Sequence, residues 1–293
     1  MKLINDPERI KILEEILEDI KLKIDFENFE KLKGEVDYIL SSNMCLKDFI
    51  IKSSDNINKE YFSYPVLVRK ILEKENFTMV RYQDGEWTCM LKIEPHFTNK
   101  IPKYGIEVDK LGDEMLKIIQ SNPEYYVSVN AGTFHERSAL VWPYIKKIKN
   151  LFVGEIFRRK SVEEGLDDFI EALKGRKVIV VGPSWFGPLK ELFDHIHIVS
   201  PLMNPKNKLE FIGFKEEEMI KLEQNVSEQI NIYKYENPVV LYSCAASAKI
   251  MSHNFYKKYG KTITQIDMGA IWDPYCGKKT RPYHEKVLNR IKK

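Results

Sequence analysis

Apolar residues along this chain keep two rhythms. From residue 65 onward, short runs of β-branched and aliphatic residues alternate with longer stretches in which apolar positions return every three or four residues. The short runs predict strands at Phe77–Tyr82, Tyr125–Asn130, Leu151–Ile156, Lys177–Gly182, His195–Ser200, Val239–Cys244 and Thr262–Asp267. The longer stretches predict helices at Pro65–Glu75, Val108–Gln120, Thr133–Lys147, Ser161–Leu173, Lys215–Tyr235 and Ala246–Tyr259. Ser161-Val162-Glu163-Glu164 and Thr133-Phe134-His135-Glu136 read as capping boxes. The strands are short apolar runs, as strands buried on both faces should be. Strand–helix alternation predicts an α/β fold, a Rossmann-like and mostly parallel sheet with helices on both faces.

The first sixty residues differ. Asp6-Pro7 is a helix start, and Ile10, Leu13, Leu17, Ile20 and Ile24 follow at helical spacing. A second helix is predicted from Glu30 to Leu40. The chain therefore divides into an N-terminal helical extension, residues 1–62, and an α/β domain, residues 63–293. The extension is expected to pack on the main domain or to serve as an arm for a partner, including a second copy of the chain.

Charge alters this picture little. Lys and Arg number 46 and Asp and Glu 43, a balance too even to imply a nucleic-acid footprint by itself. The four cysteines are scattered and form no C-x-x-C or Cys/His cluster, which excludes a zinc finger or a redox dithiol. No run of about 18 apolar residues occurs, and the start turns polar too early for a signal peptide. The expected compartment is a reducing cytoplasm.

Open α/β sheets bind ligands at the carboxyl ends of their strands, so the residues after each strand are the candidates for chemistry. The first strand ends in Arg81-Tyr82-Gln83-Asp84-Gly85-Glu86. In an extended or turning segment the carboxylates of Asp84 and Glu86 point to one side, with Gly85 permitting the turn. Two hard oxygen ligands without His or Cys suit Mg²⁺ or Mn²⁺. Arg81 is placed to hold a phosphate. A surface turn with two solvated acids is the plainer alternative. Asn130 to Arg137 and Phe157-Arg158-Arg159-Lys160 follow the second and third strands; Arg158 either clamps a phosphate or sits in a solvated basic turn. Gly182-Pro183-Ser184 and Ser243-Cys244-Ala245-Ala246-Ser247 are small-residue turns that admit a diphosphate or simply close helix–sheet packing. Asp267 ends the last strand and is a candidate general base for an acceptor, beside His135 and Glu155; Asp273 reads more readily as a turn or cap residue before proline. Cys244 reads as a buried small residue. The basic C-terminal segment reads as a solvated helical end, with an anionic acceptor or lipid head groups as the alternative.

The stretch Phe77-Thr78-Met79-Val80-Arg81-Tyr82-Gln83-Asp84-Gly85-Glu86 resembles the opening strand and D-x-E motif of the GT-D-type glycosyltransferases. That family's form is an apolar strand followed by Arg-aromatic-Gly-Asp-Gly-Glu, and Gln83 stands here where a glycine is common. The resemblance runs over about residues 65–275 and implies a metal-dependent hexosyltransferase. Asp84 and Glu86 would bind Mn²⁺ or Mg²⁺ together with a nucleotide-sugar donor, UDP-sugar being the commonest type. Arg81, Gly85, Arg158, Gly182, Ser184, Ser243 and Ser247 are the expected donor-site residues. The acceptor is left open among glycan, protein, lipid-linked glycan and nucleic acid. A Rossmann-type methyltransferase and a non-catalytic binding module are the competing readings; the first would want a Gly-rich loop after the first strand, where this chain has Asp-Gly-Glu.

Overall fold

A computed structural model describes residues 63–92, 108–129, 141–153 without 142 and 146, 156–200 and 216–291. The predicted helices within residues 1–62, most of the predicted helix Thr133–Lys147, and the loop after the fifth strand lie outside the described residues.

All seven predicted strands form: β1 (Thr78–Tyr82), β2 (Tyr126–Val129), β3 (Leu151–Val153), β4 (Val178–Val181), β5 (Ile196–Val199), β6 (Val239–Tyr242) and β7 (Thr264–Asp267). They make one sheet in the order β3-β2-β1-β7-β6-β4-β5, and every pairing is parallel. The described helices are α1 (Tyr64–Leu72), α2 (Asp84–Leu91), α3 (Val108–Gln120), α4 (Ile156–Glu163), α5 (Asp167–Leu173), α6 (Glu216–Ile232), α7 (Ser247–Tyr259) and α8 (His284–Ile291). Two 3₁₀ segments, Ser184–Glu191 and Pro274–Cys276, follow β4 and β7. The fold is a Rossmann-like α/β fold.

Side-chain alternation along each strand divides the interior in two. Val80, Tyr82, Ile179, Val181, Val240 and Tyr242 meet Trp87 of α2, Met115 of α3, Leu222 of α6 and Phe255 of α7 on one face. Met79, Val178, Val180, Leu241 and Ile266 meet Leu67 of α1, Phe157 of α4, Phe169 of α5, Phe186 and Trp272 on the other. Right-handed crossovers produce this segregation. The chain moves toward the β3 edge with its helices on the first face. It then crosses back to β4 with α4 and α5 on the second.

One consequence fixes where ligands have room. β1 and β6 send the chain onto the first face through α2 and α7, whereas β4 and β7 send it onto the second through the two 3₁₀ segments. Adjacent strands therefore diverge at their carboxyl ends between β1 and β7, and again between β6 and β4. Such divergence opens a crevice at the sheet's carboxyl edge.

Two expectations about helices need correction. The single helix predicted over Ser161–Leu173 is two helices, α4 and α5, because Gly165 turns with φ +100°. A Cβ there would stand 2.4 Å from Nη1 of Arg290, so the break also seats α8. Ser161 is consequently not an N-cap. It lies inside α4, and its hydroxyl donates to the Arg158 carbonyl at 2.9 Å. The basic C-terminal segment is a helix, but a docked one: His284 and Val287 of α8 are fully buried. Arg290 donates to the Ser161 carbonyl at 3.3 Å and to the Tyr275 hydroxyl at 3.2 Å.

His284 locks that docking. Its Nδ1 accepts the backbone N–H groups of Thr280 at 3.1 Å and Arg281 at 3.3 Å, so the neutral ring carries its proton on Nε2. Burial, reinforced by the Arg281 charge and opposed by the Ala270 carbonyl, pushes the imidazole down to about 4. The unfolded chain therefore binds a proton here that the folded chain refuses. The stability this site contributes is complete above about pH 6.5 and is lost as pH falls toward 4. Urea titrations at pH 7 and pH 4.5 should show wild-type stability falling by about 2–3 kcal/mol more than that of His284→Gln; equal losses in the two proteins would remove His284 from this role.

Candidate functional site

At the carboxyl end of β1 the ladder to β7 stops. Its last pairs are Thr78–Gln265 and Met79–Ile266. Beyond them the Arg81 N–H donates at 3.2 Å to Oδ2 of the Asp267 carboxylate, which replaces a backbone acceptor. Asp267 closes β7 and also accepts the N–H of Gly269 at 3.0 Å on its other oxygen. Its third donor is the Lys249 ammonium, 3.0 Å from Oδ2. Asp267 is buried, and its carboxylate is held by three donors from three segments of chain. In this geometry it organises the strand ends, and it presents no free face with which to take a proton from an acceptor.

Lys249 comes from the second turn of α7 and lies fully inside the protein with its side chain 4% exposed. Besides Asp267, its ammonium meets Glu86 Oε1 at 2.8 Å and donates to the Ala245 carbonyl at 3.3 Å. Three acceptors match the three N–H bonds of an ammonium. Burial disfavours the charged form, but the two carboxylates outweigh it and hold the amine well above the usual lysine range. Burial likewise pushes the Glu86 carboxyl up, and the Lys249 charge and hydrogen bonds bring it net below the usual range.

Glu86 reaches this lysine because α2 begins earlier than a loop would allow. The Asp-Gly-Glu segment is the first turn of α2, with Gln83 as N-cap and a reciprocal capping box between Gln83 and Glu86. Glu86 Oε2 accepts the Gln83 N–H at 3.1 Å. This corrects the spacing argument: residues two apart on a helix do not face one another as they do on a strand, and Gly85 is helical rather than the pivot of a tight turn. Asp84 is the first residue of the helix.

Arg81 completes the cluster. Its Nε lies 3.9 Å from Asp267 Oδ1 and has no hydrogen-bond partner, although the side chain is only 8% exposed. Nη2 lies 1.9 Å from where a Cβ on Gly269 would sit, and Gly269 adopts φ +58°. Glycine at 269 thus provides both the backbone turn and the space that the guanidinium fills.

The other expected residues divide into two groups. Gly182 and Ser243 meet where β4 and β6 diverge: a Cβ on Gly182 would stand 3.3 Å from that of Ser243 and 2.5 Å from the Phe186 ring. The Ser243 hydroxyl is buried without a hydrogen-bond partner. Ser247 heads α7 and is buried, and Ser184 heads the 3₁₀ segment and is exposed. Arg158 is not in a loop after β3. It sits on α4 beyond the edge strand, exposed, with its guanidinium 5.1 Å from the centre of the Tyr283 ring. Asp273 stands ahead of the Pro274–Cys276 segment and accepts a hydrogen bond from the Thr280 hydroxyl, a structural role. Cys244 is a buried free thiol, which burial raises to about 12. Glu155 and His135 lie outside the described residues. Among the described residues no three His, Cys, Asp or Glu side chains converge as a ready-made metal site, and no helix is long and apolar enough to cross a membrane.

Lys249 is the site residue that sequence reasoning missed. Its signal was a lone lysine in the run Ser247-Ala248-Lys249-Ile250-Met251-Ser252, all six residues of which are buried. Compared with known proteins, the chain matches no family model, no curated protein and no solved structure.

Breaking a buried ion pair from one side leaves an uncompensated charge, at a cost of about 3–5 kcal/mol. Lys249→Met and Asp267→Asn should each lose about that much in urea unfolding. The double variant, which removes one charge of each sign, should lose clearly less than the sum. Strict additivity would mean that the pair is not coupled.

Proposed function

We propose that the chain is a nucleotide-sugar-dependent glycosyltransferase that binds its donor across the carboxyl ends of β1, β7 and β6. The observation that carries this reading is the buried Arg81–Asp267–Lys249–Glu86 cluster, which stands at the crevice between β1 and β7 on the segment that resembles the GT-D motif. A purely structural sheet edge gains little from enclosing four charges, since well-packed apolar residues serve stability equally well.

The donor chemistry of the site fits a divalent ion. Arg81 and Lys249 balance Glu86 and Asp267, and Asp84 adds a further formal negative charge at the head of α2. A net negative site repels a diphosphate unless a cation joins it. Asp267 is spent on three donors, whereas the Glu86 side chain keeps 13% exposure and each of its oxygens has a single described partner. Asp84 and Glu86 are the residues that would hold Mn²⁺ or Mg²⁺. Such an ion, when bound, acts as a Lewis acid toward the diphosphate leaving group.

The chain's own residues supply the remainder. Arg81, its Nε unsatisfied, binds a phosphate oxygen. The small-residue turn before α7, with Ser243 and Ser247, lets a diphosphate approach the helix N-terminus. Gly182 and Ser184 border the second crevice, where a nucleoside has space. The acceptor hydroxyl attacks the anomeric carbon, the glycosidic bond forms, and the nucleoside diphosphate departs with the old bond's electron pair. UDP is the nucleotide tried first.

Thermal unfolding with UDP, GDP, CMP and S-adenosylmethionine, each with and without Mn²⁺, tests the reading. A ligand at a hundred times its Kd stabilises the folded state by about 2.7 kcal/mol, a rise of roughly 5–10 °C for a domain of this size. The expected result is a Mn²⁺-dependent rise with one nucleoside diphosphate, abolished in Asp84→Ala without loss of fold. A metal-independent rise with S-adenosylmethionine, or full transfer activity in Asp84→Ala, overturns it.

A further inference from the structure

We propose that Lys249 is the positioning residue of this site: its ammonium, seated between Glu86 and Asp267, fixes the Glu86 carboxylate on the first turn of α2 and sets that turn's affinity for a divalent cation. The inference deepens the glycosyltransferase reading and rests on it for the identity of the cation's partner.

The geometry makes the ammonium a resident cation. It bridges Glu86 Oε1 at 2.8 Å and Asp267 Oδ2 at 3.0 Å while anchored to the Ala245 carbonyl. Ala245 itself has φ +54°, a conformation that a non-glycine residue adopts at a cost. That backbone places its carbonyl beneath Nζ and so aims the lysine. With one oxygen taken by Lys249 and the other by the Gln83 N–H, the Glu86 carboxylate has a single orientation and one remaining lone-pair direction on each oxygen. An incoming Mn²⁺ therefore meets an acid already oriented but partly neutralised. The ammonium weakens the metal's hold and prevents it from sinking between Glu86 and Asp267, where it would be enclosed beneath the nucleotide.

Mn²⁺ binding to the nucleotide-free protein, read by electron paramagnetic resonance, tests this without any turnover. At pH 7.5, Lys249→Met should bind Mn²⁺ at least about tenfold more tightly than wild type, because a buried positive charge beside the ligand oxygens has gone. Lys249→Arg, which restores the charge, should return the affinity toward wild type. The charge-balanced variant Lys249→Met/Asp267→Asn makes the same measurement should the single variant unfold, and it too should bind more tightly than wild type. In the wild type itself, the ¹⁵N-labelled ammonium signal of Lys249 should broaden when Mn²⁺ is added. Unchanged Mn²⁺ affinity in a folded variant lacking the lysine, or an unbroadened ammonium signal at Mn²⁺ saturation, overturns the proposal. These outcomes separate it from its parent. A gain of Mn²⁺ affinity without any nucleotide-dependent thermal shift keeps the role of Lys249 and removes the glycosyltransferase. A nucleotide shift with no change in Mn²⁺ affinity does the reverse.

Discussion

The ammonium of Lys249 is the pivot of this structure. It joins the first turn of α2, the end of β7 and the turn before α7, three pieces of chain that sheet hydrogen bonds alone leave apart. Taking an ammonium and two carboxylates out of water costs several kcal/mol per ion, which close pairing only partly offsets. The cluster is tolerated because its valences match: three acceptors around Nζ, and three donors on Asp267. Removing any one member leaves another charge buried and alone.

That constraint propagates outward. Asp267 accepts the Arg81 N–H because the β1–β7 ladder ends below it, which leaves the Arg81 side chain to fold over Gly269. Below the cluster a second polar line crosses the same strands. The Tyr242 hydroxyl donates to Gln265 at 2.7 Å, and Gln265 donates to Thr78 at 3.0 Å. The sheet's centre is thus pinned by side-chain hydrogen bonds across β6, β7 and β1 where the remainder of the core is hydrocarbon. Specific polar pairing of this kind fixes strand order in a way that interchangeable Val and Ile side chains do not. On the opposite face His284 performs the comparable task for α8, holding the C-terminal segment by two backbone N–H groups.

Function and fold meet at the places where local rules bend. A non-glycine residue at φ +54° before α7, a guanidinium nitrogen without a partner and a buried hydroxyl without a partner all lie at the carboxyl ends of β1 and β6. Such departures concentrate where a protein binds something. Elsewhere the sheet obeys its rules: every described pairing is parallel, and apolar side chains fill both faces.

What the sequence by itself determined was the alternation of elements. Runs such as Val178-Ile179-Val180-Val181 have one stable use, a strand covered on both faces, and all seven strands appear where such runs stand. It also placed Arg81, Glu86 and Asp267 at strand ends. It did not determine that Asp84-Gly85-Glu86 opens a helix, because a capping box headed by Gln83 and an acidic turn look alike when only spacing is read. Nor did it show that Gly165 divides one apolar stretch into two helices, since the φ that glycine permits is chosen by what packs around it, here Arg290. Lys249 was the most hidden, because 163 positions separate it from Glu86 and 18 from Asp267. Hydrophobic periodicity carries only local information about which face is buried. The partners of a buried charge are set by which strands the crossovers bring side by side, and only the tertiary structure decided that.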